Sequence, residues 1–304
     1  MTQSRFFSFP SPAKLNLFLH ITGQRDNGYH DLQTLFQFLD YGDTIEISVN
    51  DSSNIKLLTP IEGVANEDNL IVKAAVLLKS YATKNITDTD KDKITAQGAD
   101  IKINKILPMG GGLGGGSSNA ATILLALNGL WRLNLTVEQL AEIGLALGAD
   151  VPVFVRGSAA FAEGVGEILT PCAPKEYWYL VTRPNCHIST QSVFTSTDLP
   201  RDTEILELST LDLSKVAETC HNDCQTMVIK HYPEVANLLA WLIEYAPSQM
   251  TGTGACIFTC FDTEDEARQL QSKLPKDVHA FVAKGLNRSS VTDAVNSAVA
   301  ILNS

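Results

Sequence analysis

Residues 108–121 read PMGGGLGGGSSNAA and place six glycines in the seven positions from Gly110 to Gly116. No other stretch restricts the fold so strongly, because glycine alone is freely allowed at positive φ and lets backbone approach backbone or ligand. A flexible linker would sit between two finished units and be rich in polar residues. Here the flanks are structured. The segment ADIKINKILP (99–108) alternates Ile101 and Ile103 with Lys102 and Asn104, the pattern of a half-buried strand. AATILLALNGLW (120–131) is a strongly apolar helix, for which Ser117 and Ser118 are suitable N-cap types. Glycines between a strand and a helix N-terminus converge amide N–H groups on an anion, and the helix adds a partial positive charge. The loop carries no GK[ST] sequence, so it is not a Walker A loop, and a dinucleotide fingerprint would need an acidic residue on the next strand.

The formal net charge of −11 agrees with that economy, since a nucleic-acid partner held through its phosphates would need a broad basic surface. No nucleic-acid or membrane partner is expected. The opening residues are broken by Pro10, Pro12, Lys14 and Asn16 and lack a signal core, and no run approaches a membrane span, so a cytoplasmic location is expected. Six cysteines form no CxxC and no zinc pattern, which makes them buried or incidental thiols.

Elsewhere the pattern is mixed. Segments 43–50 and 54–60 look like a hairpin, and 69–82 like a helix capped by Asp68 or Asn69. Thr136 and Gln139 have capping-box spacing ahead of another helix. A strand and turn follow at 159–169, and PCAPKEYW (171–178) is the candidate boundary before a second unit.

Four separated motifs, PSPAKLNLFLHITGQRDNGYHDLQT (10–34), the glycine run, GADVPVFVRGSAAFAEGVGEIL (148–169) and TGTGACIF (251–258), together resemble the GHMP kinases over nearly the whole chain. That family takes its letters from galactokinase, homoserine, mevalonate and phosphomevalonate kinases. The resemblance implies an α+β fold of two domains, 1–170 and 171–304. The first is like ribosomal protein S5 domain 2 and the second is ferredoxin-like, with the active site in the cleft between them. It implies ATP as phosphoryl donor, with Mg²⁺ held mainly by nucleotide phosphates. The nucleotide would meet Lys105, Pro108, Met109, Gly110, Gly111, Gly112, Leu113, Gly114, Gly115, Gly116, Ser117, Ser118 and Asn119.

Asp150 is by pattern either a turn residue ahead of Pro152 or a functional carboxylate; the resemblance makes it the general base, with Lys14 as partner. A lysine between Ala13 and Leu15 in an apolar strand is already costly to bury without an anion. The match is closest to the branch of the family that phosphorylates the 2-hydroxyl of a small-molecule substrate, CDP-methylerythritol, in the non-mevalonate isoprenoid route. It implies cytidine contacts from Tyr29, His30 and Phe194, which otherwise read as packing residues. Further substrate-side contacts fall to Asn16, Asn69, Thr190, Gly252 and Gly254, while Thr253 stands where relatives commonly have serine. No metal ligand of the protein itself is implied. Another GHMP kinase of homoserine or mevalonate type is the alternative, and a non-catalytic nucleotide-binding module a more distant one.

Overall fold

The computed structural model describes residues 5–85 and 94–304. The two longest strands, β1 (Phe7–Gln24) and β2 (His30–Asn50), form an antiparallel pair whose register slips at Pro12/Lys14, Asn16/Leu19 and Ile21/Gly23. β2 is the spine of the sheet. Its later residues pair with β4 (Gly98–Asn104), which pairs in parallel with β3 (Ile55–Leu57). Its earlier residues pair with β5 (Ala160–Glu163), which forms a hairpin with β6 (Ile168–Pro171). The second half of the chain adds β7 (Trp178–Arg183), β8 (Ser248–Met250), β9 (Ile257–Phe261) and β10 (His279–Leu286). β10 meets β2 at Leu39 and Phe38 and carries the sheet on through β7 and β9 to β8.

The hairpin expected over 43–60 does not form. Ile101 and Ile103 of β4 pair with Ile47 and Ile45 of β2, burying four isoleucines, and this alternating strand displaces β3 to the outside.

Helices α1 (Leu70–Asn85), α2 (Gly115–Leu130), α3 (Val137–Leu145) and α4 (Val151–Arg156) cover the first half of the sheet. α1 is capped by Asn69, whose Oδ1 accepts from the Ile71 amide at 3.0 Å. The Thr136–Gln139 capping box is present at α3. Short helices α5 (Thr190–Phe194) and α6 (Val216–Thr219) lead into α7 (Asp223–His231), α8 (Pro233–Leu242) and α9 (Glu264–Gln271) in the second half. The last helix, α10 (Val291–Leu302), returns to pack Val295 and Val299 against Gly129 of α2. A separate apolar cluster joins the halves, with Ala13, Leu15 and Leu17 of β1 packed among Leu113, Tyr179 and Phe258.

Among the described residues, no helix is long and apolar enough to cross a membrane. All six cysteines are free, and three are buried. Burial pushes the thiols of Cys224 and Cys256 up to about 12 and that of Cys172 to about 11. Because only thiolate reacts, and a thiol of pKa 12 is about 0.01% ionised at pH 8, Cys224, Cys256 and Cys260 should resist a disulfide reagent until the chain is unfolded. Counting thiols with and without denaturant checks this; rapid native labelling of those three would contradict it.

Candidate active site

The chain leaves β4 at Asn104 and enters α2 at Gly115. Between them Gly110, Gly112 and Gly114 take φ of 67°, 76° and 69°. The loop is wedged rather than slack. A Cβ on Gly112 would lie 2.2 Å from the Thr251 carbonyl oxygen, and one on Gly114 would lie 2.9 Å from Phe154 and 3.1 Å from Lys14. Leu113, the single interruption of the glycines, is 1% exposed and plugs into the apolar cluster between the halves. One side chain thus anchors a loop whose carbonyls at Gly111, Gly112 and Gly114 are hydrogen-bonded within the protein and whose Gly110 and Gly116 are exposed.

Helix α2 starts at left-handed Gly114, and no side chain caps it. Ser117 and Ser118, expected as caps, lie inside the first turn, because the glycine supplies the turn into the helix without a side chain. By contrast Thr136, Ser189, Asn222 and Thr263 cap α3, α5, α7 and α9 through their side chains. The unmet N–H groups of α2 therefore open on a cleft of about 560 Å³ lined by Gly110 to Ser117. The two serines differ: Ser117 lines the cleft, while Ser118 is buried and accepts from Ser11 Oγ at 2.9 Å.

Lys14 projects from β1 into the same cleft and is 3% exposed. Its Nζ donates to Asn16 Oδ1 and, at 3.1 Å, to the Gly112 carbonyl, and it stands 3.5 Å from Asp150 Oδ2. Its backbone N–H donates to Leu113 at 3.0 Å. Asp150 precedes Pro152 at the start of α4, but its side chain makes no capping bond there. The carboxylate is instead turned to Lys14 and is about one-third exposed, so it can reach an incoming group. Asn16 is held between Thr251 Oγ1 (2.8 Å from its N–H) and Thr34 Oγ1 (2.9 Å from its Nδ2). This joins β1 to the second glycine loop, where Gly252 and Gly254 also have positive φ.

At the far end of the cleft Phe194 lines the wall, and His30 stacks behind it with ring centroids 5.2 Å apart. Arg201, which sequence reasoning missed, fixes the pair. Its guanidinium donates to the carbonyls of Phe194, Ser196 and Leu199, and its Nε–H donates to His30 Nε2 at 3.1 Å. Burial and then Arg201 lower the His30 pKa, favouring neutral imidazole. Tyr29 is 64% exposed in the β1–β2 turn, off the cleft wall. Thr190 and Thr253 hydroxyls meet at 3.0 Å. Gly254 lies behind the wall, close to Met250 and Ile188. Asn69 also lines the cleft, with its Nδ2 buried and unpartnered.

Lys105 and Asn119 flank the loop as the sequence implied, and both donate to Asp43, a second residue not anticipated. Lys14 and Lys105 are the basic side chains lining the cleft among the described residues, against Asp68 and Asp150. An anion entering there would meet amide dipoles and two ammonium groups. No group of three or more His, Cys, Asp or Glu suited to a metal occurs among the described residues.

Comparison with known proteins places the fold and the family. Residues 69–158 match the family model for the GHMP kinases N terminal domain, and residues 206–280 that for the GHMP kinases C terminal. A 4-diphosphocytidyl-2-C-methyl-D-erythritol kinase of Colwellia psychrerythraea is 58% identical over 293 residues, 96% of this chain and 94% of that one. The crystal structure of a 4-(cytidine 5'-diphospho)-2C-methyl-D-erythritol kinase superposes with a TM-score of 0.77 at 28% identity, covering 91% of this chain and 98% of that one. Methanococcus jannaschii mevalonate kinase shares the fold at a TM-score of 0.66 and 16% identity, over 94% of this chain and 99% of that one.

Proposed function

Because this chain belongs to the GHMP kinase family, we propose that it transfers the γ-phosphoryl group of ATP to the 2-hydroxyl of 4-diphosphocytidyl-2-C-methyl-D-erythritol, a step of the non-mevalonate route to isoprenoid precursors. The observation that carries the substrate assignment is the 58% identity, nearly end to end, with a kinase of that name. The two domains would be residues 1–170 and 171–304, with α10 returning to the first.

In this reading the amides of the 110–116 loop and the open start of α2 hold the nucleotide phosphates, with Lys105 beside them. The cleft-facing Ser117 hydroxyl suits a Mg²⁺ that keeps most of its ligands from phosphate and water; when bound, that ion neutralises phosphate charge. Asp150 accepts the proton of the substrate hydroxyl as its oxygen bonds to the γ-phosphorus, and the bond to the bridging oxygen breaks to release ADP. Lys14, 3.5 Å from Asp150, keeps that carboxylate aimed, and adds positive charge where the phosphoryl group passes. Phe194, backed by His30 and with Tyr29 closing from the exposed turn, takes the cytosine face.

A substrate panel tests the proposal. ATP consumption should depend on CDP-methylerythritol and not on homoserine or mevalonate, and phosphorus NMR should place one new phosphomonoester on the 2-oxygen. Preferred turnover of homoserine or mevalonate would reassign the substrate. ATP binding with no transfer to any alcohol would leave only a nucleotide-binding module.

A further inference from the structure

Asp43 sits on β2, is 1% exposed, and does not line the cleft. Its carboxylate takes four donors. Oδ1 accepts the amides of Ile106 and Leu107, both at 2.8 Å; Oδ2 accepts Lys105 Nζ at 2.6 Å and Asn119 Nδ2 at 3.0 Å. Residues 105–107 are where the chain enters the glycine loop, and Asn119 lies just beyond its exit, in α2. One buried carboxylate therefore ties both ends of the loop to the sheet. The tie continues in one direction. The second Asn119 N–H donates to Ser11 Oγ at 2.8 Å, and Ser11 donates to Ser118, in the first turn of α2.

The placement of Lys105 makes this more than a fold staple. Its Nζ is 3.1 Å from where a Cβ on Gly115 would stand, so an ammonium rests at the first residue of α2. That end of a helix is its positive pole, and a cation is repelled there unless an anion holds it. Asp43 is that anion. An ammonium has three N–H donors, and Lys105 remains 20% exposed, so one donor is fixed by Asp43 while the others face the cleft. We propose that Asp43 is the positioning residue of the nucleotide side, presetting Lys105 and the loop's two ends so that ATP meets an ordered cradle without touching Asp43 itself. The inference rests on the assignment of Lys105 and the loop to the nucleotide.

The test is steady-state kinetics of the full-length enzyme with ATP and CDP-methylerythritol varied in turn, on Asp43→Asn, Lys105→Met and the double variant. Asparagine keeps the shape and an acceptor for the two amides but withdraws the charge from Lys105. Loss of one charge-assisted bond should raise KM for ATP about 10- to 100-fold, with kcat within about threefold and KM for the cytidine substrate within about twofold. If Asp43 acts through Lys105, the double variant should be no worse than the more damaging single one. A KM for ATP unchanged in Asp43→Asn while Lys105→Met raises it overturns this inference alone, as do multiplying effects or a uniform loss of kcat and both KM values. An unchanged KM for ATP in Lys105→Met overturns the nucleotide-side assignment first. Asp43→Glu keeps the charge but displaces it by one methylene. It should raise KM for ATP selectively even if the asparagine variant fails to fold, and no change in it would overturn the inference equally.

Discussion

Asp150→Asn is expected to lower kcat by about 10³-fold while leaving KM for ATP within about twofold, the pattern of a lost proton acceptor. The expectation follows from position. The carboxylate makes no capping bond to α4, so an amide of the same shape disturbs no local structure, and the buried Lys14 ammonium loses its anion but keeps Asn16 Oδ1 and the Gly112 carbonyl as acceptors. Its melting temperature should stay within about 2 °C of the parent. Lys14→Met should lose a similar factor but for a compound reason. The ammonium is 3% exposed and also satisfies Asn16 Oδ1 and the Gly112 carbonyl, so its removal leaves a buried and a half-buried acceptor short of a donor, the buried one at about 1–3 kcal/mol. Lys14→Met should therefore melt lower as well as turn over slower. Since the two groups act as a unit, the double variant should be little slower than Asp150→Asn alone. Retention of a tenth of the parental kcat by Asp150→Asn would remove it from the proton-accepting role.

What could be read from the sequence was set by how local the cause is. The glycine loop was legible because glycine has a backbone meaning of its own, and the Thr136–Gln139 box because its partners are three residues apart. Lys14 announced itself as a charge in an apolar strand. Asp150 did not, being by pattern a turn residue before a proline, and only resemblance raised it. The residues missed altogether are those whose partners lie far along the chain. Asp43 and Lys105 are 62 positions apart, Arg201 and His30 are 171, and Thr251 and Asn16 are 235. The same reason undid the hairpin at 43–60, since β4 enters between β2 and β3 from forty residues further on. The serine caps failed differently, to a local competitor: Gly114 turned the chain into α2 before either serine.

Gly112→Ala should be the most damaging single-atom change in the loop, destabilising the protein by at least about 3 kcal/mol. Positive φ alone does not account for that figure. Gly28, in the exposed β1–β2 turn, has φ of 85° with nothing within 4 Å of an added Cβ, and Gly28→Ala should cost only about 1–2 kcal/mol. At Gly112 the methyl group would lie 2.2 Å from the Thr251 carbonyl oxygen, and that backbone has little room to retreat. The Thr251 N–H donates to Cys256 at 3.0 Å, its hydroxyl accepts from Asn16, and Gly252 packs directly on Gly112. If the fold yields, the glycine loop must, and the Gly112 carbonyl then moves away from Lys14 Nζ. Displacement should thus raise KM for ATP and lower kcat together, whereas Gly28→Ala should leave both KM for ATP and kcat within about twofold. Denaturant midpoints and kinetics of the two variants decide the matter. Equal destabilisation by both would mean that the loops are not locked backbone to backbone, because strain at a positive φ is common to the two sites and only the contact with Thr251 separates them.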